Sequence, residues 1–425
     1  MSDAAAPPTG SRAARVARAV GKKLVALGIG LTISFLLAEC TMRIVGIGSP
    51  VFARPDGRYG LVLIPGTTGW YRAEGKGWVS INSVGMRDVE HAVTKPPGTY
   101  RIAILGDSYA EALQVSRDQA FWAVMGKQLG GCAALGGAKV EVLNFGVSGY
   151  SQTQELMVLQ DKVWRYQPDL VLLAVLTGND ISDNVPELTS GRPPFFHVGE
   201  RGELTLDTSR THKLGRGGEL MLWLIRHSRV FQLANSARLN LAQCGKLGAC
   251  YSPEGAGAGG EAGLRNQVYL PPTDAAWTNA WRVTEALIDA IRDDVAAHHA
   301  RLLLATLSNG IQVHPDPAVR AQFRAAIGSP DLLYPDKRVA EIAARAGIPS
   351  LALAPVLAAH AESTHTYLHG WPGPGLGKGH WNPDGHRVAG EALATWVCQT
   401  LAPAPAPAVA PPPVAPVPPA PTPAP

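Results

Sequence analysis

Five short apolar runs set the strongest limit on what this chain can fold into. They are Arg101 to Leu105 (RIAIL), Lys139 to Leu143 (KVEVL), Leu170 to Val175 (LVLLAV), Arg301 to Leu307 (RLLLATL) and Ser350 to Ala354 (SLALA). Each stands near a helix-like segment, and such compact apolar runs read as strands buried on both faces. The clearest helix signal covers about Thr273 to His299, where Trp277, Trp281, Ile288, Ile291 and Val295 recur at spacings near 3.6. Strands alternating with helices require crossover connections, which place them parallel in a sheet with helices on both faces. The expected class is α/β, a three-layer α/β/α sandwich around a central parallel sheet. With 425 residues, 46% of them hydrophobic, the chain can fill the core of such a domain.

The ends of the chain do not fit that rhythm. Arg12, Arg15, Arg18, Lys22 and Lys23 precede the apolar run LVALGIGLTISFLLA, Leu24 to Ala38, which continues past Glu39 and Arg43 to Ile47. Residues 24–47 exceed the roughly 20 residues needed to cross a hydrocarbon core. The basic flank on the N-terminal side puts residues 1–23 in the cytoplasm and the remainder on the far side, by the positive-inside rule. This is the expectation of a single-pass signal anchor with an extracytoplasmic, periplasmic-side domain. A cleaved signal peptide and a buried core helix are the rival readings; Leu-Ala-Glu-Cys at 37–40 resembles a lipoprotein box, but Glu39 stands where a small residue is required. At the other end, residues 401–425 are nearly all Ala, Pro and Val, a disordered tail that adds nothing to a core.

Between the ends, residues 48–98 read as an N-terminal extension carrying a small motif, INSVGMRD, and 99–400 as the main domain. Residues 181–272 interrupt the strand and helix alternation with Pro, Gly and charged stretches, an insertion placed to sit over the carboxyl edge of the sheet. The formal charge of +4 is slight for this length and no basic stripe interleaved with aromatics follows the first 25 residues, which excludes nucleic acid as the expected partner. The five cysteines form no CxxC pair, so no metal site is expected, and no organic cofactor either. In an oxidising compartment Cys244 could pair with Cys250, or Cys132 with Cys398.

Chemistry in an open parallel sheet is expected in the loops after the strands. The first strand ends in Gly106-Asp107-Ser108-Tyr109, the second in Asn144-Phe145-Gly146-Val147-Ser148-Gly149 and the third in Thr177-Gly178-Asn179-Asp180. A serine at a strand-to-helix turn is by itself an ordinary helix cap. Near the C-terminus, Gly379-His380-Trp381-Asn382-Pro383-Asp384-Gly385-His386 precedes a helix from Asp384 to Val397. There is no phosphate-binding loop at Gly-Leu-Gly-Lys 375–378, because Pro372 takes the first glycine position, and no GxSxG elbow.

Taken in order, Gly-Asp-Ser, Asn-x-Gly-x-x-Gly, Gly-Asn-Asp and His-x-Asn-x-x-Gly-His resemble the four blocks of the SGNH (GDSL-like) hydrolase superfamily. The resemblance covers about 100–180 and 300–398. It implies Ser108 as nucleophile, His380 as general base with His386 as the alternative, and an oxyanion hole of the Ser108 and Gly149 backbone N–H groups with the Asn179 side chain. Each role suits its chemistry, since a hydroxyl needs a base near neutral pH and converging N–H donors stabilise a developing oxyanion. The other histidines stand in no catalytic spacing. The resemblance implies an aspartate three residues before the base, yet that position is Gly377. A dyad, a backbone carbonyl or a carboxylate from the insertion could take its place.

What the resemblance implies is an esterase acting on an acyl ester of an envelope carbohydrate or lipid through an acyl-enzyme on Ser108. An O-acyltransferase acting on a surface polysaccharide, and a non-catalytic glycan-binding protein that kept the fold, are the alternatives.

Overall fold

The structure is a computed structural model and describes residues 12–48, 50–189, 191–247, 264–373 and 375–402. Its strands are β1 (Ala53–Asp56), β2 (Gly60–Leu63), β3 (Thr68–Tyr71), β4 (Gly77–Ser80), β5 (Thr99–Gly106), β6 (Lys139–Asn144), β7 (Leu170–Leu176), β8 (Phe195–Val198), β9 (Leu204–Asp207), β10 (Arg301–Leu307) and β11 (Ser350–Ala352). Its α-helices are α1 (Arg12–Val45), α2 (Ser108–Glu111), α3 (Phe121–Leu129), α4 (Gln152–Asp161), α5 (Asp180–Asp183), α6 (Arg216–His227), α7 (Arg229–Leu247), α8 (Ala275–Ala297), α9 (Pro317–Ala326), α10 (Tyr334–Arg345), α11 (Leu353–Thr364) and α12 (Pro383–Leu401).

The five runs read from the sequence form one parallel sheet in the order β11-β10-β7-β5-β6. Every residue of β7 is buried, as a central strand covered on both faces must be. Successive side chains of a strand point to opposite faces, and the two cores divide accordingly. Ala103, Leu105, Val171, Leu173 and Val175 join one cluster with Leu156 and Leu159 of α4, Trp281, Ile288 and Ile291 of α8, and Val339 of α10. Ile102, Ile104, Leu170, Leu172 and Ala174 join the other with Phe121, Trp122 and Met125 of α3, Leu353 and Leu357 of α11, and Leu393 of α12. The molecule is therefore a three-layer α/β/α sandwich.

Local signals set the element ends. Asp274 caps α8 by accepting from the Trp277 N–H, Asn382 caps α12 by accepting from Gly385 with Pro383 in its first turn, and Ser151 with Gln154 forms a capping box on α4. Two elements differ from expectation. The strand expected to reach Ala354 stops at Ala352, because Leu353 already opens α11. The helix expected after Ser108 lasts a single turn, because Ala112 adopts a left-handed φ of 52° that ends it.

Residues 48–98 hold two antiparallel hairpins, β1–β2 and β3–β4. The INSVGMRD segment buries Arg87 and Asp88 and joins the loop after β6, since Asp88 accepts from the Asn144 N–H and the Arg87 carbonyl from Asn144 Nδ2. Within 181–272, the β8–β9 hairpin lies against α8 through Arg282 Nη1 donating to the Val198 carbonyl, whereas α6 and α7 lie at the C-terminal end of α1. Helix α1 has a mean hydropathy of 1.9 over its most apolar stretch and none of that stretch is buried, so it is long and apolar enough to cross a membrane.

Cys132 and Cys398 form a disulfide between the loop after α3 and the end of α12. Cys40 is free and exposed, and Cys244 and Cys250 have side chains outside the described residues, as does the tail 403–425. The disulfide closes a 266-residue loop, so reducing it or substituting Cys132→Ser should lower stability by about 2–5 kcal/mol. Urea unfolding with and without reductant measures this, with Cys132→Ser expected to match the reduced protein.

Candidate active site

The parallel register brings the ends of β5, β6 and β7 side by side. Gly106 of β5 stands opposite Ala174 of β7, and the Val147 N–H in the loop after β6 donates to the Gly106 carbonyl. Ser108 occupies the first turn of α2 at this edge, where the buried Asp107 caps the helix by accepting from the Tyr109 N–H at 2.9 Å.

Ser108 Oγ lies 2.8 Å from His380 Nε2. On the other side of the ring, His380 Nδ1 lies 2.5 Å from Glu74 Oε2, and the His380 backbone N–H donates to Glu74 Oε1 at 2.9 Å. A carboxylate only accepts, so this pairing assigns the proton of the neutral ring to Nδ1 and leaves the Nε2 lone pair facing the serine. Asp107 Oδ2 is a weaker partner for Ser108 Oγ, at 3.3 Å.

Sequence reasoning missed Glu74. The position expected to carry the acid, Gly377, uses its backbone N–H to bond the His369 carbonyl. The acid comes instead from the turn between β3 and β4 in the N-terminal extension, not from the insertion. That turn is held against the main domain by Lys76 N–H donating to the Gln114 carbonyl. Gly379 makes the approach feasible: its φ is +74°, and a Cβ there would stand 2.3 Å from Glu74 Oε1, so any side chain would displace the carboxylate. The run Glu-Gly-Lys-Gly between two aromatic strands reads as a hairpin turn, but nothing local ties its carboxylate to a histidine 306 residues away.

The segment carrying His380 is clamped from below. The Gly379 carbonyl accepts from Tyr109 Oη at 2.9 Å and from His369 Nδ1 at 2.6 Å. His369 Nε2 in turn meets Ser308 Oγ at 3.0 Å, and that hydroxyl also accepts from Trp381 Nε1 at 2.9 Å. Burial pushes His369 down to about 4, so it stays neutral and acts as a fixed donor to Gly379. His386, the alternative base, does not face Ser108. It is buried in the first turn of α12, its Nδ1 accepts from the Phe121 N–H at 3.2 Å, and burial holds it well below the ordinary histidine value.

Gly149 is exposed in the loop after β6 and has a φ of +76°, a left-handed geometry that glycine adopts without strain. That loop is tied to the helix of Ser108 by the buried Glu111, which accepts from the Ser148 N–H at 2.6 Å and from the Ser148 hydroxyl. Asn179 opens α5 after β7, yet its side chain makes no capping hydrogen bond and its buried Oδ1 has no partner among the described residues. No group of three or more His, Cys, Asp or Glu among the described residues could hold a metal ion.

Three further buried carboxyls adjoin the site. Gln152 Nε2 donates to both Glu155 and Asp180, and the Leu176 N–H donates to Asp180. Burial raises Asp107, Glu155 and Asp180, and the charge of Asp107 raises the latter two further. Burial thus favours the uncharged form of each of these carboxyls.

No family model and no curated protein matches the chain. Among solved structures it is similar to LAE5, an alpha/beta hydrolase enzyme from the metagenome of Lake Arreo, at 13% identity and a TM-score of 0.35, covering 71% of this chain and 95% of that one. It is similar to an acetyl xylan esterase at 13% identity and a TM-score of 0.36, covering 70% and 98%. A protein described as lipolytic and of the G-D-S-L family, from Desulfitobacterium hafniense, matches at 13% identity and a TM-score of 0.32, covering 69% and 98%. Likenesses this distant carry no weight for the site, which stands on its own geometry.

Two outcomes are expected here. The His380 pKa is raised, because the hydrogen bond and charge of Glu74 outweigh the opposing effect of burial; Glu74 is lowered by the same contact, although burial alone would raise it. The free base therefore appears only as pH rises through a value above 6.5. Reaction of Ser108 with a fluorophosphonate should follow that titration, and Glu74→Gln should move the midpoint down and slow the reaction on the order of 10²- to 10⁴-fold. Glu155 gives the second. A raised carboxyl pKa in the folded state means that stability is lost as pH climbs above the ordinary value of 4.5. Urea unfolding of Glu155→Gln should accordingly show the variant gaining on the parent as pH rises above 4.5.

Proposed function

We propose that this chain is a serine esterase that forms an acyl-enzyme on Ser108, with His380 as general base and Glu74 orienting it. The observation that carries the reading is the continuous pairing of Glu74, His380 and Ser108 at 2.5 and 2.8 Å, the arrangement that activates a hydroxyl near neutral pH. His380 Nε2 takes the Ser108 proton as Oγ attacks the ester carbonyl. The oxyanion is met by the Ser108 and Gly149 N–H groups and the Asn179 side-chain amide, and loss of one such donor costs on the order of 10²- to 10³-fold in rate. His380 then delivers the proton to the departing alcohol, and a water activated by the same ring hydrolyses the acyl-enzyme. Glu74 stands where an acid was missing at Gly377, which supports a catalytic reading over a non-catalytic one.

The proposed setting is a single-pass anchor, with α1 crossing the membrane and the esterase domain on the periplasmic side. The basic flank before Leu24 supports this orientation, and so does the Cys132–Cys398 disulfide, a bond that persists in oxidising compartments. An acyl ester on an envelope carbohydrate or lipid fits a site tethered beside the membrane.

Hydrolysis of p-nitrophenyl acetate by the full chain tests the chemistry. Ser108→Ala and His380→Ala should each lose activity on the order of 10³-fold or more, with fluorophosphonate labelling confined to Ser108 by mass spectrometry. Absence of both turnover and labelling in the parent would overturn the reading. Adding a polysaccharide acceptor and measuring how the acetyl group divides between water and sugar separates hydrolysis from acyl transfer.

A further inference from the structure

Helices α6 and α7 expose an unusual amount of apolar surface for elements outside α1. Leu220, Met221 and Trp223 of α6 are 60%, 49% and 55% exposed, and Leu233 and Leu241 of α7 are 48% and 71% exposed. Along all of α6 only Ile225 is buried. Large apolar side chains exposed together on two neighbouring helices point to a contact surface, and three features adjoining them identify what it meets.

The first is continuity with α1. Glu39 of α1 accepts from the Ser228 hydroxyl and from the Arg229 and Val230 N–H groups, so an α1 carboxylate caps the start of α7. Arg43 of α1 donates to the His227 carbonyl at the end of α6. The second is depth. Phe231 of α7 packs edge-on against Phe35 of α1, with ring centroids 6.2 Å apart; Phe35 lies one helical turn, about 6 Å, further into the apolar run than Glu39. The start of α7 is thereby held at the level of the segment that would span the membrane. The third is charge. A cleft of about 260 Å³ beside these helices is lined by Arg43, Thr67, Arg226, His227, Arg229 and Gln232, a largely cationic wall beside the C-terminal end of α1.

We propose that α6 and α7 form a second membrane-contacting surface, seated in the interface of an anionic phospholipid bilayer. Leu220, Met221, Trp223, Leu233 and Leu241 enter the boundary between headgroups and acyl chains, and Arg226 and Arg229 face lipid phosphate. Aromatic and aliphatic side chains on one side with arginines beside them are the composition of an interfacial helix. Such a seat fixes the rotation of the esterase domain about α1, and hence which way the Ser108 cleft faces.

The proposal rests on α1 being a membrane span, and the experiment separates the two. The full chain is reconstituted in vesicles of phosphatidylethanolamine and phosphatidylglycerol, with the photo-cross-linker p-benzoylphenylalanine placed singly at Leu31, Leu220, Trp223 or Val356. Leu31 reports on α1, and Val356 is an exposed apolar residue of α11 in the main domain. Lipid adducts identified by mass spectrometry are expected from Leu31, Leu220 and Trp223, several-fold above Val356. Adducts from Leu31 with none above the Val356 level from Leu220 and Trp223 would overturn the interfacial seat while leaving the anchor intact. Cross-links from Leu220 or Trp223 to a second copy of the chain, in place of lipid, would overturn it as well. No lipid adduct from Leu31 would remove the span and the proposal with it.

Discussion

The contact between Glu74 and His380 is the interaction on which the site depends. It joins residues 306 positions apart, and both carboxylate oxygens are used, one on the ring and one on the backbone N–H. The backbone bond fixes the carboxylate against the His380 main chain and the Nδ1 bond fixes the ring against the carboxylate, so Nε2 stays directed at Ser108. The same contact makes the N-terminal extension part of the candidate site, since the β3–β4 turn has to sit at a fixed height above the sheet for the carboxylate to reach. Gly379 permits the approach, and the Tyr109, His369, Ser308 and Trp381 hydrogen bonds hold the receiving loop from the opposite side.

Charge at the site is kept scarce. Glu74 and His380 stabilise each other's ionised forms, which is why their shifts run in opposite directions. The neighbouring acids behave differently: Glu155 and Asp180 are pushed up because burial and the nearby Asp107 oppose a further negative charge. His369 and His386 are both kept neutral by burial, so one histidine in this region is set up to exchange a proton. Three imidazoles close together thus take different roles through environment alone.

Helix α1 is also tied to the rest of the chain. Glu39 and Arg43 are polar interruptions near the end of an apolar helix, and each has partners on α6 or α7. Their place in α1 follows from those partners, since a charged side chain near a membrane boundary is tolerated where it is paired. Arg72 adds a link from the β3–β4 hairpin by donating to the Gly46 carbonyl. The hairpin that carries Glu74 is consequently braced against the end of α1 as well as against the sheet.

The sequence by itself determined the layers of the fold and two members of the site. The five apolar runs needed no partner to be read as buried strands, because burial on both faces is written in consecutive residues, and the helix of Trp277, Trp281 and Ile288 follows from its period. Ser108 and His380 were legible because each lies in a short motif beside a strand end or before a helix cap. Glu74 was not legible, since its role comes from a distance across space and its neighbours in the chain spell only a turn. The exclusion of His386 was likewise decided by tertiary structure: it stands in the first turn of α12, just after the loop of His380, yet it faces Phe121 and the core. Nor could the pairing of Glu39 with α7 be read, because a carboxylate in an apolar run looks like a flaw until the three groups that bond it are folded into place. Local pattern fixes which residues are buried and where chains turn, whereas the partner of a charge is fixed by packing.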